Sequence, residues 1–232
     1  MNDLPANTRF AAIDDSSPLI AAPPRPILRG TFHLAAALAA PFGLVLLVLI
    51  ADSPRAYVGA SIFAASMIAL YTSSASYHLV PWPQTLRDVM KRLDHSMIFA
   101  LIAGTYTPFC LIVLGNAWGI TMLCVVWTLA GLGMLLKIAW PYAPRWLSVG
   151  LYLALGWIGI IAVGEVITSL SIAELSLLML GGALYSIGAI IYAMKWPDPS
   201  PRIFGFHEIF HLFVVAGSLV HFALLAIFIL PD

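Results

Sequence analysis

Three histidines, an aspartate and a serine are the residues of this sequence whose types and spacing could do chemistry. His207 and His211 stand four residues apart in the string His207-Glu208-Ile209-Phe210-His211. On a helix they project from one face, about one turn from each other. Two imidazoles so spaced chelate a single ion, and the string fits H-E-x-x-H, the zinc pattern of metalloproteases. His78 would supply the third nitrogen that a catalytic zinc requires, leaving a fourth position for water. Ser74, one turn before His78, is placed to orient a ligand or that water. Asp94 suits an acceptor that orients a ligand, or a ligand itself if the site expands. The plain alternative is a group of polar residues satisfying one another between helices.

Residues this far apart in sequence need a scaffold to meet, and composition says which kind. The chain has 232 residues, 61% hydrophobic and 9% charged, with a mean hydropathy of +0.96. A soluble domain carries about 25% charged residues, so this chain needs lipid as its solvent. Its formal net charge of zero excludes a broad nucleic-acid surface. The fold class expected is an all-α integral membrane protein with seven transmembrane helices. The spans run approximately from Leu28 to Ala51, Ala56 to Val80, Val89 to Leu114, Ala117 to Ala139, Trp146 to Thr168, Ala173 to Met194 and Ile203 to Leu230. Turn residues separate them, among them Asp52-Ser53-Pro54, Pro81-Trp82-Pro83, Gly115-Asn116 and the run from Pro197 to Pro201. Residues 1–26, with three aspartates and several prolines but no apolar core, read as a disordered cytoplasmic tail ahead of a membrane domain over 27–232.

The basic residues fix an expected direction. With the N-terminus inside, the inner segments hold Arg9, Arg25, Arg29, Arg87, Lys91, Arg92, Lys137, Arg145, Lys195 and Arg202, and the outer ones only Arg55. The N-terminus is then cytoplasmic and the C-terminus outside. His78, Asp94, His207 and His211 come from three helices and fall at one depth near the inner edge, where an ionisable group must be compensated.

Other polar residues read differently. His33 opens the first span and reads as a helix-packing residue, with closing the inner end of the bundle as the alternative. His95 points about 100° away from Asp94 around the helix and is not expected at the ion. His221 lies about 15 Å beyond His211 along its helix, too far to share the ion, and should bond a neighbouring helix or line a polar cavity. Cys110 and Cys124 lie in apolar runs as small buried residues. Pro108, near Gly104, Thr105 and Thr107, is expected to kink the third span.

These residues resemble the hemolysin III family, the bacterial branch of the progestin and adipoQ receptor group, from about Arg29 to Phe228. Ser74-Ala75-Ser76-Tyr77-His78 matches the family's S-x-x-x-H. Leu93-Asp94-His95-Ser96 and Gly104-Thr105-Tyr106-Thr107-Pro108 match its third span, and His207 to His211, followed by His221, its seventh. The resemblance implies a bacterial inner-membrane protein with a cytoplasmic N-terminus. It also implies a zinc ion bound by His78, His207 and His211, with Asp94 reaching it through a water and Ser74 nearby. Relatives carry Gln as well at the Glu208 position, so a protease-like base role for Glu208 does not carry over. No counterpart of the long N-terminal domain of adiponectin receptors is present, so a hormone-receptor role is not expected.

The leading expectation is an intramembrane zinc hydrolase acting on a lipid amide or ester, ceramidase-like, with Asp94 and Ser74 as catalytic residues and membrane lipids as partners. A sensor or signalling protein with a structural zinc is the second. A membrane-perturbing cytolysin is the third, and an export signal and a continuous polar stripe, which it would need, are not visible.

Overall fold

Polar caps and prolines cut the apolar chain into its spans. The computed structural model describes residues 26–231. The tail expected over 1–26 therefore falls, Pro26 apart, outside the described residues. Within them the fold is helical, with a single isolated bridge between Ser200 and Phe204. Seven helices are long and apolar enough to cross a membrane.

Helix α1 (Thr31–Ile50) follows Gly30, whose φ of 86° is left-handed. A side chain at Gly30 would also meet His78, since a Cβ there would stand 2.7 Å from the His78 Cβ. The lead-in to α1 is thereby pressed against the end of α2 (Pro54–Leu79). Helix α2 starts at Ser53, whose Oγ accepts from the Ala56 N–H at 3.2 Å, with Pro54 in the first position where no amide hydrogen is needed.

Helix α3 (Gln84–Pro108) packs closely on α2 through Gly59 and Gly104. A Cβ on Gly59 would lie 2.8 Å from the Pro108 Cα, and one on Gly104 would lie 2.6 Å from the Ser66 Cβ. At Pro108 the third span changes helix type. Lacking an amide hydrogen, the proline gives way to a wider π-helical stretch over Phe109–Leu114. Helix α4 (Ala117–Ala139) then begins under the Asn116 side chain, which accepts from Trp118 N at 2.9 Å.

The fifth span is broken where the sequence suggests one helix. It runs as α5 (Arg145–Trp157), a 3₁₀ segment (Ile158–Ala162) and α6 (Val163–Ser169). The cause is Tyr106 of α3. Its hydroxyl donates to the Gly156 carbonyl at 2.6 Å and accepts from the Gly159 N–H at 3.0 Å, entering the helix's own ladder. A capping box between Ser171 and Glu174 starts α7 (Ile172–Met194). Helix α8 (Phe206–Leu224) ends in a second π-helical stretch, Leu225–Ile229.

The main core lies among α1, α2 and α8, around Leu47, Phe63, Leu70 and Leu224. A second cluster joins α3, α4 and α5 through Phe99, Val126, Ala130 and Tyr152. The outer faces stay apolar: Phe42 is 78% exposed and Leu49 76%. In water such a surface would aggregate, whereas in a bilayer it meets acyl chains.

Candidate metal centre

The site is assembled at the bundle end where α1 and α8 begin and α2 ends. The backbone lead-ins to α1 and α8 are strapped together, with Ile27 N–H donating to the Arg202 carbonyl at 3.0 Å and Leu28 N–H to the Ile203 carbonyl at 3.2 Å. Arg29 pairs with Glu208, whose side chain is fully buried. The other Glu208 oxygen accepts from the Gly205 N–H at 2.8 Å, capping α8. Asp198 adds a second cap by accepting from Phe206 N–H at 3.1 Å. Both Glu208 oxygens are thus engaged in holding the first turn of α8. The carboxylate is not the base that H-E-x-x-H would suggest by itself.

On that fixed turn, His207 and His211 face His78. The Nε2 atoms of His207 and His78 are 3.2 Å apart. One ligand nitrogen from each of His78, His207 and His211 lies within 4.8 Å of the others. Tetrahedral zinc with bonds of about 2.0–2.1 Å sets its nitrogens about 3.3 Å apart. The His78–His207 pair already has that spacing, and the third ring needs only a small closure. Three imidazole nitrogens are also a donor set that zinc accepts well. The residues present fit the ion.

Asp94 lies at the edge of the triad, with Oδ2 3.9 Å from His78 Nε2. Its other neighbour is His95, 3.5 Å away at Nδ1. The same His95 nitrogen is 2.8 Å from the Lys91 carbonyl, which fixes it as a donor. His95 stays outside the three-nitrogen group, as its position on the helix suggests, but it does buttress Asp94.

His33 has a larger place than helix packing. Its ring stacks on His211 with centroids 3.7 Å apart and planes 11° apart. Its Nδ1 is 2.8 Å from the Ser74 Oγ, and both side chains are buried. The signal for this was in the sequence: His33 opens α1 at the same depth as His78. Which face of α1 meets α8 is set by helix crossing, and spacing along one chain does not report it.

Ser74, Asp94, His207 and His211 line one end of a cavity of about 610 Å³. The cavity runs between α3, α5, α7 and α8, past Ile98, Leu101, Val149 and Leu178 to Val166 at the far side. Deeper along it sits His221, buried and stacked on Tyr185 with centroids 5.4 Å apart. The Tyr185 hydroxyl lies 2.8 Å from Ser218 Oγ. Two glycines admit these rings: a Cβ on Gly181 would stand 2.7 Å from His221 Nδ1, and one on Gly217 would stand 2.7 Å from Tyr185 Cδ1. His221 is therefore a cavity residue remote from the triad.

Residues 22–222 match the family model described as Haemolysin-III related. The chain is 44% identical to the Hemolysin-3 homolog of Bacillus subtilis (strain 168) over 165 residues, 71% of this chain and 74% of that one. It is 37% identical to Hemolysin-3 of Bacillus cereus over 176 residues, 76% of this chain and 77% of the relative. A more distant similarity, 24% over 185 residues, joins it to the Monocyte to macrophage differentiation factor of Homo sapiens, covering 78% of this chain and 74% of that one. Seven apolar helices and a match running from before α1 into α8 lead to one assignment: this multi-pass membrane protein, of the inner membrane in a bacterium, belongs to the haemolysin-III-related family.

Proposed function

We propose that the chain is an intramembrane metal-dependent hydrolase that uses zinc, held by His78, His207 and His211, to cleave a lipid amide or ester. The observation that carries this reading is the meeting of three histidine nitrogens within 4.8 Å at the end of a largely apolar cavity. A volume near 610 Å³ is within the range of pockets that enclose small amphiphiles. The site end holds most of the basic residues, and we assign it to the cytoplasmic face.

Zinc in such a site supplies Lewis acidity toward a carbonyl and toward water. The protein's own groups do the rest. Asp94 Oδ2 accepts a proton from the attacking water and returns it to the leaving amine or alcohol. The water oxygen bonds to the carbonyl carbon, the C–N or C–O bond breaks, and a carboxylate is released. Ser74 Oγ, steadied by His33, donates to the oxygen that gains charge. The apolar walls hold the acyl chain and keep out other water.

The test is turnover by purified protein of acyl amides and acyl esters presented in mixed micelles, with metal content measured alongside. Wild type should bind about one zinc per chain and release fatty acid. His207→Ala/His211→Ala should do neither, and Asp94→Asn should keep metal while losing turnover. Equal turnover by wild type and the double variant would remove the reading.

The names of the bacterial relatives favour a second reading, a membrane-perturbing protein. Purified chain in liposomes should then release trapped dye at low occupancy.

A further inference from the structure

A buried cation in the cavity wall lacks a counter-charge. Lys137, in the last turn of α4, is 5% exposed. Its ammonium donates to Ser148 Oγ, itself buried, which passes a bond to the Pro144 carbonyl at 3.3 Å. Among the described residues, no carboxylate lies within ion-pair distance of Lys137, Lys91, Arg92 or Arg145, and only Arg29 forms such a pair. A lysine at a span end commonly reaches outward to water or headgroups. Lys137 turns inward and lines the same cavity as Asp94, His207 and His211.

Its neighbours add to the charge. Lys91, which lies 5.9 Å over the Tyr142 ring, and Arg145, which lies 4.8 Å over Tyr192, line this end of the cavity as well. Asp94 is the one acid among the cavity's lining residues and is already engaged with His78 and His95. A small recess between Lys91, Arg92, His95, Lys137 and Pro141 opens beside it. The Arg92 Nε there is buried without a partner. Buried charge needs a partner of opposite sign, and cations with free donors suit an oxyanion.

We infer that Lys137, with Lys91 and Arg145, forms a subsite for a phosphate group, and that the amphiphile in the cavity is an anionic phospholipid. This deepens the hydrolase reading, and rests on it in taking the cavity as the substrate's place. The lipid's phosphate sits at the cationic end and its acyl chain runs along Leu101 and Leu178, with the carbonyl between them, beside the triad.

The test uses the full chain in neutral detergent, with bound lipid read by native mass spectrometry. The probes are dioleoylphosphatidylglycerol, dioleoylglycerol, which has the same chains without the phosphate, and inorganic phosphate. Wild type should prefer the anionic lipid by about tenfold, the effect of one charge-assisted contact. Lys137→Met should lose that preference and Lys137→Arg keep it, with metal content equal in all three. Equal binding of the two lipids by wild type overturns the inference whether or not Lys137→Met folds. So does a preference that survives Lys137→Met, which would mark the outer basic belt as the binding surface. Inorganic phosphate binding that needs Lys137, without any lipid preference, overturns the lipid assignment. Lys137-dependent lipid binding without hydrolysis defeats the enzyme reading alone. Metal-dependent hydrolysis indifferent to headgroup charge defeats this inference alone.

Discussion

Arg29, ahead of the first helix, is paired with the buried carboxylate of Glu208, 179 residues later in the first turn of the last helix. The pair ties the lead-in to α1 to the first turn of α8 beside the histidine triad. Glu208→Ala would leave Arg29 without its partner and the Gly205 amide without its cap. Losing one member of a largely buried pair costs roughly 2–5 kcal/mol. Thermal unfolding in detergent should show the loss, and bound metal should fall with it, because His207 and His211 ride on the same turn. Full metal content and an unchanged midpoint would show that the pair does not hold α8.

His33→Phe separates the two contacts of His33. A phenyl ring keeps the stack on His211 but cannot bond Ser74. Metal content should stay near wild type, while turnover of the lipid substrate should fall by about 10–100-fold, the range seen when a group supporting a metal site is removed. Loss of metal together with turnover would mean that the ring's place in the packing, and not its hydrogen bond, is what matters.

Two adjacent glycines should answer differently to one methyl group. Gly181 faces the His221 ring, and a Cβ there would stand 2.7 Å from its Nδ1, whereas a Cβ on Gly182 meets nothing within 4 Å. Gly181→Ala should destabilise by about 1–3 kcal/mol through overpacking. Gly182→Ala should be neutral or stabilising by up to about 1 kcal/mol. Paired melting curves decide the matter, and identical shifts would contradict the close approach of α7 and α8.

Orientation has a direct check. In a Cys124→Ala background, Asp52→Cys should react with an impermeant thiol reagent on intact cells. Pro199→Cys, at the opposite end of the bundle, should react only after the membrane is opened. The reverse pattern would place the triad at the outer face.

Much of this architecture could be read from the chain because membrane spans are written in runs of apolar residues and their punctuation. Ser53-Pro54 and Gly115-Asn116 each mark a boundary through a local contact, whereas the Ser171 cap lies in the connection that the sequence marks least clearly. The meeting of His78 with His207 and His211 was legible for a related reason: alternating spans bring helix ends of known parity to one side. What stayed hidden depended on side chains crossing between helices. Tyr106 breaks the fifth span from another helix, with nothing at Gly156 or Gly159 to announce a partner. Pro108 advertised a disturbance but not the π-helical stretch that follows. His33 and the cavity needed helix rotations that periodicity alone does not supply. Glu208 was readable as part of a pattern, and its real partners, Arg29 and Gly205, show that the pattern's usual chemistry does not apply.

The distribution of the three histidines also orders events during biosynthesis. His78 leaves the ribosome early, on the second span, while His207 and His211 follow 129 or more residues later on the last. Until that final segment is inserted, the nascent chain offers at most one of the three nitrogens. A metal ion cannot be trapped by a half-made bundle, and a chain truncated before α8 would be born without the pocket's chelating face.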